Sequence, residues 1–337
     1  MDYFENYSYF ENLTYENDGN FNDYILPFPL TFILTHVEIG IIHFLLSSFF
    51  MVLQLLVFLS FFNNKELFTK TSFIIIFNHG ILSFIQQICH VITAILTIFF
   101  IKKISRLLSI IGSLLTASYI GSIIFIFLLT LNRFDILYDI QLINFERKEI
   151  IYIIFIIICY LCTITLFIVY IVFPEFMLVF NYNLFEWQYE NRLESRTVYQ
   201  FEKYSILSLL GVSLILQILI FFKVIFLRCS TNRKIVFVAD DLKIILHAFL
   251  CFVTALILEL IRDGIFFYIY WSGNQIIIPH ILRIFCSVSN SFFVLCFVKE
   301  IRNYIFISKH VKTDFRNTTI VKSIKVSGNI NNIRNIA

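Results

Sequence analysis

Ionised side chains inside long apolar runs are where this chain signals chemistry. Each costs a few kcal/mol at the centre of a hydrocarbon layer unless it is paired. Glu259, Arg262 and Asp263 lie together in one apolar run, and Arg283 lies in the next. Glu259 and Asp263 have i,i+4 spacing, so on a helix they share a face and repel unless a cation joins them. Arg283 sits about two turns below one end of its run, and the two acids about one to two turns below the facing end of theirs. The matched depths predict an ion pair between the two runs. Two uses fit such a pair. One is a cavity in which a polar ligand meets Arg283 or Glu259. The other is a structural tie between helices, with Arg262 and Asp263 among lipid headgroups.

An earlier run, 73–100, carries Asn78, His79, Gln86, Gln87 and His90, so one side of it must face protein or water. Gln87 and His90 are candidates to line the same cavity, with His36, Glu38 and His43 of the first run as weaker ones. His79 and His90 lie on a similar helix face but about 16 Å apart by helical rise, too far for one metal ion to bridge. Hydrogen bonding between helices is the plainer reading of both.

A different chemistry is signalled by Arg133. Residues 107–131 form an uncharged run that ends in Leu131-Asn132-Arg133-Phe134. At about 1.5 Å per residue the run is long enough to cross a hydrocarbon core of about 30 Å. The arginine then stands at a membrane surface. It fits a simple positive anchor there, and it also fits a switch. Asp240 or Asp241, at the start of the run that carries Glu259, would hold Arg133 in a closed state. Outward movement of that run would break the pair and expose Arg133 to a cytoplasmic partner. Lys223 is placed to snorkel to the same surface.

Enzyme chemistry finds no support. There is no H-E-x-x-H, no G-x-S-x-G and no phosphate-binding Gly-Lys loop. No metal set or cofactor is expected. Six of the seven cysteines lie inside apolar runs and read as small buried hydrophobes; Cys229 sits in a basic loop. Cys159-x-x-Cys162 lies within an apolar run rather than a redox loop.

The elements that must position these residues follow from composition. The chain is 59% hydrophobic, only 15% charged, and has a mean hydropathy of +0.83. A soluble domain is about 25% charged, so an integral membrane protein is expected. A net charge of +3 gives no reason to expect a nucleic-acid partner. Seven spans are predicted, at about 39–61, 73–100, 107–131, 150–173, 204–227, 243–267 and 276–298. They make an all-α seven-transmembrane helix bundle over 33–306, closed by a short amphipathic helix at 299–306. Residues 1–32 form an acidic tail with sequons at Asn6 and Asn12, and no cleavable signal peptide is expected. Residues 174–203 read as the longest polar loop. Residues 307–337 form a basic tail, expected to be disordered. Lys and Arg concentrate in the links at 65–70, 132–149 and 228–243 and in the tail, which puts the N-terminus outside; Lys102, Lys103 and Arg106 run against the rule.

Seven spans, an outside N-terminus and an arginine at the end of the third span resemble a G-protein-coupled receptor. Within that superfamily Leu131-Asn132-Arg133-Phe134 resembles the L-N-R-F form of nematode serpentine chemoreceptors of classes x and T. Asn290, followed by Lys299-Glu300-Ile301-Arg302, resembles the Asn-Pro-x-x-Tyr element and the short helix after it. Asp241-Leu242-Lys243 fits the charged entry to the sixth span in those families. The resemblance implies a chemosensory receptor in a plasma or ciliary membrane. Its partners would be a small-molecule ligand among the outer helix halves and a heterotrimeric G protein on the cytoplasmic side. It assigns the switch to Asn132, Arg133, Asp240, Asp241 and Asn290. Departures are clear: Asn132 stands where common receptors carry an acid, and Ser291 and Val294 replace the proline and tyrosine of the seventh span. No cysteine is placed for the usual loop disulfide. A transporter or channel is the alternative, and it requires a continuous polar path.

Overall fold

Long apolar stretches almost free of internal proline have one way to satisfy their backbone in lipid, which is to become helices. The computed structural model describes residues 35–100, 105–138, 145–181, 186–189, 193–230, 239–262 and 277–306. Seven of its helices are long and apolar enough to cross a membrane. They are α1 (His36–Asn63), α2 (Thr71–Ile98), α3 (Ser105–Tyr138), α4 (Phe145–Val172), α5 (Leu193–Ser230), α6 (Ala239–Arg262) and α7 (Ile277–Phe297). A short helix, α8 (Lys299–Phe306), follows. The expected seven-span, receptor-like bundle is present.

Local chemistry explains the ends. Thr35 and Glu38 form a reciprocal capping box at the start of α1, with Thr35 N donating to Glu38 Oε2 at 2.7 Å. Asn64 closes α1 and caps the following 3-10 turn, Lys65–Thr69, by accepting from Glu66 N at 3.1 Å. Pro279 falls in the first turn of α7, where its missing N–H costs nothing.

The third helix is the centre of the bundle. In its most apolar window 72% of residues are buried, against 22% for α4. It packs on α2, α4, α5 and α6. The peripheral helices turn apolar faces outward: Ile153, Ile157, Leu161, Ile164 and Ile168 form an exposed stripe at helical spacing along α4. Such a stripe suits lipid, not water. The inner half of the bundle is filled by Phe61, Phe73, Phe125 and Leu129, with Val298 just before α8 and Ile301 within it.

Three boundaries differ from expectation. First, α3 continues past residue 131 to Tyr138, so Asn132 and Arg133 lie within a helix instead of at its end. Polar residues at a helix's cytoplasmic turn look like a stop when only hydropathy is read. Second, α5 begins at Leu193, not at residue 204, because its first three turns are polar and rise above the apolar zone. Glu202 is therefore a buried helical residue and not part of a loop. Third, the segment 174–203 is structured. It holds a 3-10 turn at Pro174–Phe176 and an antiparallel hairpin, β1 (Leu178–Asn181) with β2 (Glu186–Tyr189), so the chain is almost but not wholly α. Leu178 and Phe180 point down from β1, and Phe180 pairs with Trp187. Trp187 seats directly on α3 at Gly112, where a Cβ would fall 2.5 Å from its ring. Only glycine permits that approach.

Residues 1–32 with Asn6 and Asn12, the tail 307–337, and Asp263 lie outside the described residues. Asp240 and Asp241 lie in the first turn of α6, but their side chains are outside the description.

Candidate functional site

The outer half of the bundle holds a buried charge cluster. Glu259 on α6 is 0% exposed. Its Oε2 meets Arg262 Nη2 at 2.8 Å, and its Oε1 accepts a hydrogen bond from the Tyr119 hydroxyl of α3. Arg262 Nη1 also lies 3.9 Å from Oε1 of Glu202 on α5. Glu202 Oε2 accepts from Tyr170 of α4 at 2.8 Å and from Tyr189 of β2. Burial and the adjacent Glu202 carboxylate push the Tyr189 phenol well above its ordinary range, so it stays protonated and donates. The Arg262 guanidinium stands over the Tyr199 ring at 5.7 Å. One guanidinium is thus shared by two carboxylates, and tyrosines from three elements satisfy the oxygens that remain.

Of the expected interhelical pairing of Glu259 and Asp263 with Arg283, the Glu259 part is corrected, and Asp263 lies outside the described residues. A residue three positions along the same helix reaches back over one turn without crossing an interhelical gap. Arg262 therefore serves Glu259, where hydropathy alone had placed it among headgroups. Nothing in the sequence singles out Glu202 and its tyrosines, because the first three turns of α5 are polar enough to resemble a loop.

A second polar group joins α1, α2 and α7. The rings of His280, His43 and His90 stand in a row, with His280 Nε2 to His43 Nδ1 at 3.0 Å and His43 Nε2 to His90 Nδ1 at 3.3 Å. His43 and His90 are buried, and His280 is half-buried. Gln87, one turn along α2 and 0% exposed, donates through Nε2 to Ser287 Oγ and more weakly to the Ile284 carbonyl at 3.4 Å. Gln87 Oε1 and His90 Nε2 are buried without a hydrogen-bond partner among the described residues. Arg283 is half-buried on α7, close enough to act electrostatically on both His90 and Cys286. The imidazoles form a line and do not converge on a point. Among the described residues no three His, Cys, Asp or Glu side chains are grouped to hold a metal ion. Of the candidates expected to line one cavity, Gln87, His90 and Arg283 are brought together, while Glu259 is closed off by Arg262 and Tyr119. His280 gave no sign in the sequence, and His43 only a weak one.

Deeper in the bundle a third network joins four helices. Asn290 Nδ2 of α7 donates to the Ile76 carbonyl of α2 at 3.2 Å, and His247 Nε2 of α6 lies 3.2 Å from the Asn290 carbonyl. His79 of α2 is packed beside His247 and Asn290. Ser291 donates to Gln54 of α1. At the inner end of α3, Ser72 Oγ donates to Asn132 Oδ1 at 2.6 Å, which ties α2 to α3. Arg133 is only 4% exposed and lies within electrostatic reach of Tyr152 on α4 and His247 on α6.

A fold of seven membrane-crossing helices around a central third helix, with a buried arginine at its inner end, defines a receptor-type bundle. The family described as serpentine type 7TM GPCR chemoreceptor Srx matches residues 44–236, more than half of the chain. The chain belongs to this family, and the match is to class x of the two classes that the L-N-R-F stretch suggested. No curated protein matches the chain. The matched region runs from α1 through α5 and contains Asn132 and Arg133.

Proposed function

We propose that this multi-pass membrane chemoreceptor binds a small molecule among the outer helix halves and passes the signal to a heterotrimeric G protein at the inner ends. The observation that carries the reading is the division of polar chemistry along the helices. The ion pairs of Arg262 with Glu259 and Glu202 lie in the outer half, together with Arg283 and the His90 row. At the inner end Arg133 is buried on α3, the most deeply buried of the seven spans. Between them lie the Asn290 network and a filled apolar core, which join the two ends mechanically.

A ligand that prefers one packing of α6 and α7 against α3 shifts the population of that packing. His247 and Asn290 couple α6 to α7, so a shift at the outer end reaches the turns that face Arg133. Asp240 and Asp241 at the head of α6 hold Arg133 in the resting packing. Domain roles follow: 1–32, glycosylated at Asn6 and Asn12, faces outward, and 307–337 faces the cytoplasm. Arg133→Ala should abolish agonist-driven nucleotide exchange on a G protein while agonist binding persists. An Arg133→Ala receptor that signals like the wild type overturns the coupling role.

A further inference from the structure

Three features of the outer half meet at one place and point to the charge of the ligand. The two described buried carboxylates there are already engaged: Glu259 by Tyr119 and Arg262, and Glu202 by Arg262, Tyr170 and Tyr189. Neither is open to a cationic ligand. Arg283, by contrast, meets no carboxylate within ion-pair distance among the described residues. Its half-buried guanidinium lies on α7 one turn below His280, within electrostatic reach of His90 on α2.

The second feature is the direction of His90. Its Nδ1 is taken by His43 of α1, so its Nε2, on the far side of the ring, points away from α1 into the bundle. His90 is 2% exposed, and that nitrogen has no partner. A buried N–H left unmade costs about 1–3 kcal/mol, so a ligand atom that completes it gains affinity. Gln87 Oε1, on the same face of α2, is also orphaned, which marks the space as polar. The third feature is the proton order of the row. When His280 donates to His43 and His43 donates to His90, His90 Nε2 carries its proton outward as a donor. A bound anion selects that order.

We infer that the outer half recognises an organic anion, a carboxylate, with its head group held between the Arg283 guanidinium and His90 Nε2. Bidentate pairing of a guanidinium with a planar carboxylate supplies both orientation and strength. This rests on the reading of the outer half as the ligand site.

The test uses the full-length receptor in lipid nanodiscs. Its melting temperature is measured against a panel of aliphatic and aromatic carboxylates, each beside its primary alcohol, amide and amine. The expected result is saturable stabilisation by at least one carboxylate and none by its matched neutral and cationic partners. Arg283→Gln and His90→Phe should each weaken that carboxylate by roughly tenfold or more, with Arg283→Lys retaining part of it. Melting of the ligand-free variants shows that each one folds. Stabilisation by alcohols or amines but by no carboxylate overturns the anion site and leaves the receptor reading standing. Silence across the whole panel also overturns it, as does carboxylate binding that Arg283→Gln leaves unchanged. The wider reading is judged separately, by whether Arg133→Ala uncouples exchange from any agonist found.

Discussion

Ser72 on α2 donates to Asn132 on α3 at 2.6 Å, one residue before Arg133. The bond fixes a neutral amide where an acid would pair with the arginine directly. It follows that Asn132→Asp should tighten the resting packing. A charge-assisted bond is worth about 1.5–3 kcal/mol where a neutral one gives about 1, so basal nucleotide exchange should fall several-fold. Asn132→Leu removes the tie to Ser72 and should raise it. Equal basal rates in both variants, at matched surface expression, would remove Asn132 from the switch.

Asp240 and Asp241 head the helix that faces Arg133. Neutralising both, as Asp240→Asn with Asp241→Asn, should raise basal signalling by releasing α6. Unchanged basal exchange would show that the resting state is held elsewhere, and His247 with Asn290 would then be the next pair to vary.

Arg262 compensates two buried carboxylates at once. Arg262→Met leaves Glu259 and Glu202 uncompensated and should destabilise the receptor by about 3–5 kcal/mol. The double variant Arg262→Met with Glu259→Gln should recover part of that loss, because the most buried charge goes with its partner. Thermal melting of the four receptors in one detergent closes the cycle. Strict additivity would mean that the pair is not coupled.

The hairpin rests on α3 through Trp187 and Gly112. Gly112→Ala forces its new methyl against the Trp187 ring and should cost about 1–3 kcal/mol, the usual range for overpacking. Trp187→Leu in the same chain should return much of it. If the double variant melts no higher than Gly112→Ala alone, the hairpin sits elsewhere on the helix.

Much of the architecture was legible because a membrane span is a property of composition summed over many residues. The centres of all seven helices fall where apolar runs place them. What was not legible depends on rotation and on polar helix turns. Arg262 and Arg283 are both arginines near the outer ends of neighbouring spans, and hydropathy does not say which one faces Glu259. Glu202 lies in three turns of α5 that look like a loop until the helix is seen to project beyond the apolar zone. The hairpin uses two strands of four residues, too short for an alternation to stand out beside so much apolar sequence. His43, His90 and His280 are far apart in the chain, and only the packing of α1, α2 and α7 makes them a row.

The short helix α8 is held by α1 as well as by α7. Ser60 Oγ donates to the Ile301 carbonyl at 3.1 Å, and Ile301 is fully buried. The cytoplasmic mouth is therefore asymmetric. One lip, made of α1 and α8, is bolted together by that bond, while the inner end of α6 is seated through the apolar side chains of Ile244 and Ala248. In the proposed switch a partner that enters there meets a fixed jaw and displaces the other, so the opening hinges from one side and does not widen evenly around its rim.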